Sequence, residues 1–283
     1  MDPSGEPNSI DALLPAAMAR KAETLGVTKT HLALPQLAAL AVLAGAFISF
    51  GALFSTVVTA DTSMSPGIAR LLGGLTFSLG LVLVVVGGAE LFTGNTLIVM
   101  AWASRRVTLI ELLRNWCVVF VGNFVGATLT ALMVARSGRL DAGDGSIGIR
   151  AVSIAESKLT LPFDEALISG VLANSLVCLA VWMSLSARSV IDRVIAVVLP
   201  VSAFVAAGFE HSIANMYFAP VAIFHRHWTD NPAALSAGEH VDWSNFMIDN
   251  LIPVTIGNVI GGGALVAGVY WFIYLRTTRS GSA

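Results

Sequence analysis

Apolar residues run through this chain in six long stretches, which a window of about 19 residues delimits as 37–60, 71–103, 116–135, 166–187, 194–224 and 251–275. Four have the length of a single membrane-spanning helix. The second and fifth hold 33 and 31 residues; as straight helices they would reach roughly 45–50 Å across a hydrocarbon core of about 30 Å. Polar and glycine residues interrupt both near the middle, as "GAELFTGN" at 88–95 and "GFEHSIAN" at 208–215. The pattern therefore predicts two broken helices, whose non-helical backbone must be buried in protein or line a cavity.

The two interruptions share Gly-x-Glu-x-x-x-x-Asn, with Gly88, Glu90 and Asn95 matching Gly208, Glu210 and Asn215. Further on, "NWCVVFVGNFVG" (115–126) matches "NLIPVTIGNVIG" (250–261), and earlier Gly45 and Ser49 match Gly170 and Asn174. The chain reads as two copies of three spans. An odd number of spans per copy puts the copies in opposite orientation, an arrangement that forms a transport pathway at the repeat interface near the membrane midplane. Glycines such as Gly122, Gly126, Gly257 and Gly261 read mainly as close-approach points between helices. Ahead of the first span, 9–26 carries apolar positions at helical spacing, with Arg20, Lys21 and Glu23 on the other face. This segment is expected either along the membrane surface or packed on the protein's own loops.

Composition agrees with an all-α membrane protein: 55% of residues are apolar and 12% charged. The net charge of −2 and the scattered basic residues give no nucleic-acid footprint. Placing the N-terminus in the cytoplasm puts ten Lys/Arg in cytoplasmic segments and six outside, which predicts both termini inside. No cleaved signal peptide is read. Cys117 and Cys178 both lie in apolar runs without metal-ligand spacing and read as core hydrophobes.

Residues common to both breaks read as scaffold. Glu90, Glu210, Asn95 and Asn215 are expected to pair with backbone groups freed where each helix unwinds, with Glu210 retaining the option of tuning its neighbour. At the next position the copies differ, Leu91 against His211. Titratable groups at bilayer depth are costly and mark function, and imidazole exchanges protons near neutral pH. A single histidine supplies no bis-histidine haem ligation, no metal cluster is read, and nucleophile and phosphate-loop motifs are absent. No cofactor or enzymatic activity is expected.

In order along the chain, "GAELFTGN", "LANSLVCLAVWMS", "GFEHSIANM" and "NLIPVTIGNVIGGG" resemble the signature segments of the formate/nitrite transporters, and "DALLPAAMARKAE" places the resemblance closest to the formate-channel branch. The resemblance implies an aquaporin-like homopentamer with a pore in each protomer. It further implies apolar constrictions at Phe77, Leu81, Leu91 and Phe204, a flexible loop at Leu91, Phe92 and Thr93, a central histidine at His211 with Asn174 and Asn258 near it, and a vestibular lysine at Lys158. Phe92 is taken with the constriction, and Thr93, Asn174, Asn258, Lys158 and Glu210 with His211 as the permeation and proton-relay path.

On this reading the chain comprises a cytoplasmic amphipathic helix (1–34), a first three-helix repeat (35–136), a periplasmic loop (137–162), an inverted second repeat (163–276) and a cytoplasmic tail (277–283). It would sit among inner-membrane lipids and carry a small monovalent anion, formate before nitrite or hydrosulfide, in proton-linked fashion. A neutral-solute channel of the aquaglyceroporin kind shares the broken-helix plan, but its paired Asn-Pro-Ala boxes are absent. A non-transporting membrane scaffold offers no reason for matched breaks.

Overall fold

Without water in the bilayer core, an apolar stretch must close its backbone hydrogen bonds within itself. The computed structural model describes residues 12–61 and 63–276, and every regular element among them is helical. Besides a single 3-10 turn at Arg139–Asp141 these are, in order, α1 (Pro15–Thr30), α2 (Leu34–Thr59), α3 (Pro66–Gly87), α4 (Phe92–Ala103), α5 (Leu109–Arg136), α6 (Ser146–Leu159), α7 (Phe163–Ser184), α8 (Val190–Ala207), α9 (Ser212–Trp228), α10 (Pro232–Ser236) and α11 (Trp243–Tyr274). Six of them, α2, α3, α5, α7, α8 and α11, are long and apolar enough to cross a membrane.

Local signals set most boundaries. Prolines occupy the first turn of α2 and α3, where a missing N–H costs nothing. Reciprocal capping boxes, Thr108 with Glu111 and Ser189 with Asp192, start α5 and α8. The second and fifth apolar stretches break as expected. Gly88 (φ 75°) ends α3 and Gly208 (φ 78°) ends α8; this left-handed conformation favours glycine over any residue with a Cβ.

The helices pair as the repeat requires: α2 lies on α3 and α5, α7 lies on α8 and α11, and α3 meets α8 between the copies. A Cβ on Gly126 would fall on the Val42 carbonyl, and one on the matching Gly261 would fall on the Val171 carbonyl. These glycines thus set the α2–α5 and α7–α11 distances. Between the copies, Gly74 backs onto Ser202 and the Ser78 and Ser202 hydroxyls lie 3.3 Å apart.

Three details depart from the sequence expectations. The connection at 137–162 contains a helix, α6, whose Ala151, Val152 and Ala155 are buried. The last span starts at Trp243 rather than 251, because Asp242 caps it there and Pro253 sits within a continuous coil. Around that proline and the glycines 261–263 the coil widens to i→i+5 bonding at Phe246–Leu251 and Ile260–Gly268, consistent with the lost proline donor. Cys178 is buried but Cys117 is exposed, since apolar side chains of a membrane helix also cover its outer face. Of the two placements expected for the segment before the first span, α1 takes packing on the protein, with Met18, Ala19, Ala22 and Gly26 buried and Gly26 against Ile98 and Ala101. Its expected start, 9–11, lies outside the described residues.

Between α9 and α11 the chain is tied to α6 through His240, whose Nδ1 lies 2.6 Å from Glu156 Oε1 while its backbone N–H donates to Oε2 at 2.8 Å. The Glu156 hydrogen bond, and then its charge, raise the His240 pKa above the ordinary histidine value. A raised folded-state pKa stabilises fully below the unfolded value and is lost as pH climbs through the folded one. Amide exchange at 238–242 is therefore expected to accelerate, beyond its intrinsic base catalysis, as pH rises through the raised His240 value, and Glu156→Gln should remove that step.

Candidate functional site

Breaking a membrane helix leaves backbone donors and acceptors that must find partners in a dry interior. One asparagine meets them in each copy. Asn123 donates to the Ala41 and Glu90 carbonyls at 2.7 and 2.9 Å and accepts from Phe92 N–H at 2.9 Å. Asn258 donates to the Gly170 and Glu210 carbonyls at 2.8 and 3.0 Å and accepts from Ser212 N–H at 2.9 Å. The freed backbone is thus held by the third-span asparagines, whereas the sequence suggested the glutamates and asparagines of the breaks.

Those residues form a different cluster, built twice. Glu90 pairs with Lys29 at 2.9 Å and accepts from Asn95, which also bonds Asn115. Glu210 pairs with Lys158 at 2.7 Å and accepts from Asn215, which also bonds Asn250. The asparagine of the third span then donates to the backbone carbonyl of the lysine in both copies, Asn115 to Lys29 and Asn250 to Lys158. Lys158 is therefore no ordinary loop charge: α6 is the counterpart of α1, and the repeat extends beyond three spans. The matching Lys29 was missed. Its signal was a lysine shortly before a Leu-Pro helix start, Lys29 with Leu34-Pro35 and Lys158 with Leu161-Pro162.

Two vestibules approach the breaks. The first, about 360 Å³, is lined by α1 and by Leu81, Gly88, Glu90, Leu91 and Gly94. The second, about 860 Å³, is lined by α6 and by Phe77, Phe204, Gly208, His211 and Phe218. At the floor of the second, the Phe77 and Phe204 rings meet edge to face with centroids 5.7 Å apart, and the Phe204 and His211 rings lie 5.9 Å apart. Phe218 stands 6.3 Å from Phe77, with Lys158 Nζ 5.5 Å from its ring centroid. Phe218 was not singled out, although His211, Ala214 and Phe218 share one face of α9 by helical spacing.

Leu91 and His211 occupy the same position, the residue before a half-helix. His211 Nδ1 accepts the Ala214 N–H at 3.1 Å, and so caps α9. Leu91 has no acceptor to offer, and α4 is irregular, with a tight i→i+3 turn at Thr96–Ile98. With Nδ1 accepting, the neutral ring carries its proton on Nε2, which lies 2.8 Å from Thr93 Oγ1. His211 and Thr93 are both buried. Their bond stands between the vestibules, since His211 lines the second while Leu91 and Gly94, on either side of Thr93, line the first.

The structure thus brings Phe77, Phe204, His211, Lys158 and Glu210 to one vestibule and Leu81 and Leu91 to the other. It sets Asn174, Asn258 and Phe92 behind them, lining neither. Asn174 donates to the Thr93 and Asn258 carbonyls at 3.3 and 2.6 Å, which steadies the Thr93 loop. The Phe92 ring packs on Trp116 and Phe120 of α5, because its N–H is drawn to Asn123 and its side chain then points into the bundle. Among the described residues no group of three His, Cys, Asp or Glu side chains could hold a metal ion.

Residues 16–272 match the family model described as formate/nitrite transporter. The chain is 49% identical to the formate channel FocA of Escherichia coli (strain K12), over 95% of this chain and 97% of that one. It is 39% identical to the formate channel FocA of Haemophilus influenzae, over 80% and 82%. Among solved structures it is similar to a pentameric formate channel with formate bound, with a TM-score of 0.80 and 41% identity over 86% of this chain and 98% of that one.

Proposed function

The chain belongs to the formate/nitrite transporter family, and from that premise we propose that it is a homopentameric channel or transporter carrying formate across the bacterial inner membrane, with a pore in each protomer. The observation that carries this reading is the Thr93–His211 hydrogen bond at 2.8 Å, standing between two vestibules and beside apolar side chains. The first vestibule, with both termini, faces the cytoplasm and the second faces outward. Pentamer and substrate rest on similarity to formate channels and to the pentameric structure.

The apolar side chains at Phe77 and Phe204 on one side, and at Leu81 and Leu91 on the other, strip water from an anion and oppose its charged form. Inside, the anion replaces Thr93 as acceptor of the His211 Nε2–H. A second proton on Nδ1 must displace the Ala214 amide, so an imidazolium costs the α9 cap, about 1 kcal/mol. An anion beside Nε2 offsets that cost. Proton and anion therefore arrive together: Nε2 gives its proton to the carboxylate, the neutral acid crosses, and the ring regains its capping tautomer by exchange with vestibule water. Lys158 with Glu210 and Lys29 with Glu90 hold the two half-helix starts in register around this point.

Uptake of labelled formate into proteoliposomes, in competition with nitrite and hydrosulfide at two pH values, tests the reading. Formate uptake that rises on acidification and yields least to the competitors is expected. Preferential nitrite or hydrosulfide uptake would reassign the substrate, and glycerol swelling without anion uptake would overturn the function.

A further inference from the structure

Lys29 and Lys158 each face a carboxylate, so neither adds much net charge to its vestibule. Two turns earlier on the same helices, the two copies carry another matched pair of cations, Lys21 on α1 and Arg150 on α6. Eight residues separate each from its lysine, about 12 Å along a helix, more than the roughly 8 Å Debye length at physiological salt. Each reaches the far end of an equivalent span. Lys21 Nζ donates to the Leu185 carbonyl just past α7 at 2.8 Å, and Arg150 Nε donates to the Thr59 hydroxyl at the end of α2 at 3.2 Å. Both line their vestibules, Lys21 beside Arg193 and Arg150 with Arg70. Among the described residues none of these four is in an ion pair. The bond to the Leu185 carbonyl uses one donor of Lys21 and the bond to the Thr59 hydroxyl one of Arg150, which leaves two ammonium protons and the guanidinium fork for another acceptor.

We propose that each vestibule holds a second anion-binding station at its mouth, Lys21 with Arg193 in the first and Arg150 with Arg70 in the second, which captures a small carboxylate or a monoanion of like size before it reaches the paired lysine. The inference rests on the transport reading and adds a sided recruitment step to it. Because the lysines at the breaks are neutralised by Glu90 and Glu210, the attraction felt at each mouth comes from the cations outside ion pairs, which at the second mouth outnumber the carboxylate of Asp61. The stations act on capture and leave the crossing at His211 unaltered.

The test uses initial formate uptake into right-side-out and inside-out membrane vesicles. Lys21→Gln and Arg150→Gln keep an amide that can donate to the Leu185 carbonyl and the Thr59 hydroxyl respectively, and Arg20→Gln, an exposed position on α1, controls for loss of charge alone. Lys21→Gln is expected to raise the half-saturating concentration about 3- to 10-fold for entry from the α1 face, without changing the maximal rate or entry from the other face. Arg150→Gln should do the same for the α6 face. Both effects should fall below about twofold in roughly 1 M salt, where the Debye length is about 3 Å. Unchanged half-saturation, equal changes from both faces, or the same change with Arg20→Gln would overturn the stations while leaving transport intact. If the wild type carries no formate, the proposed function fails. Saturation-transfer NMR of formate with the detergent-solubilised protein then decides the stations alone: loss of the signal in the Lys21→Gln, Arg150→Gln double variant supports them, and an unchanged signal overturns them.

Discussion

Asparagine in place of His211 is expected to leave an assembled protein whose formate flux no longer follows pH. The two roles of the ring separate cleanly at this residue. Nδ1 caps α9 through Ala214, and asparagine is among the best N-cap residues, so the half-helix survives. Nε2 faces Thr93, and asparagine offers an N–H there that cannot exchange a proton near neutral pH. In proteoliposomes the ratio of uptake at about pH 5.5 to that at about pH 7.5 should fall to about one, because the imidazole is the group at the Thr93–His211 contact that can take up a proton and hand it to the anion. Phenylalanine at the same position loses the cap as well, and should add a stability cost of about 1 kcal/mol. A His211→Asn variant with unaltered pH dependence would remove the proton relay from the mechanism.

Alanine in place of Asn258 should give a clear loss of stability at the second break. It strands the Glu210 carbonyl and the Ser212 N–H of the break in a buried site and removes a second hydrogen bond from the Gly170 carbonyl of α7. At about 1–3 kcal/mol for each stranded group, the two together cost at least about 2 kcal/mol. Asn123→Ala strands the Glu90 carbonyl and the Phe92 N–H in the same way and takes a second hydrogen bond from the Ala41 carbonyl of α2, and should cost a similar amount. Thermal unfolding of the detergent-solubilised protein compares the two. Matched losses identify a shared scaffold. A loss of flux in Asn258→Ala with no loss of stability would instead return Asn258 to the permeation path.

These two residues show how much of the site could be read along the chain. His211 stood out because it breaks the match between the copies, and a residue that departs from a repeat does not need to serve the repeat. Asn258 belonged to the repeat and was still assigned to the path by family resemblance. Its side chain faces backbone, which no motif encodes. Phe92 shows a related limit: its place in the loop was legible, but the direction of its ring depends on Asn123 holding its N–H, a contact across 31 positions. Lys29 and α6 were missed because amphipathic surface helices carry little hydropathy signal, and their matching lysines are set apart from the repeat's stronger motifs.

The order of residues was sufficient to establish six spans, two breaks and a duplicated plan. Hydropathy over 20 residues, glycines at left-handed positions and recurring motifs are local or periodic properties, and a bilayer leaves an apolar stretch few alternatives to a helix. Which polar side chains meet one another was settled by packing: Lys29 with Glu90, Lys158 with Glu210, Thr93 with His211. Those partners lie 52 to 118 positions apart, and their meeting depends on glycine contacts that fix helix spacing to within the size of a methyl group.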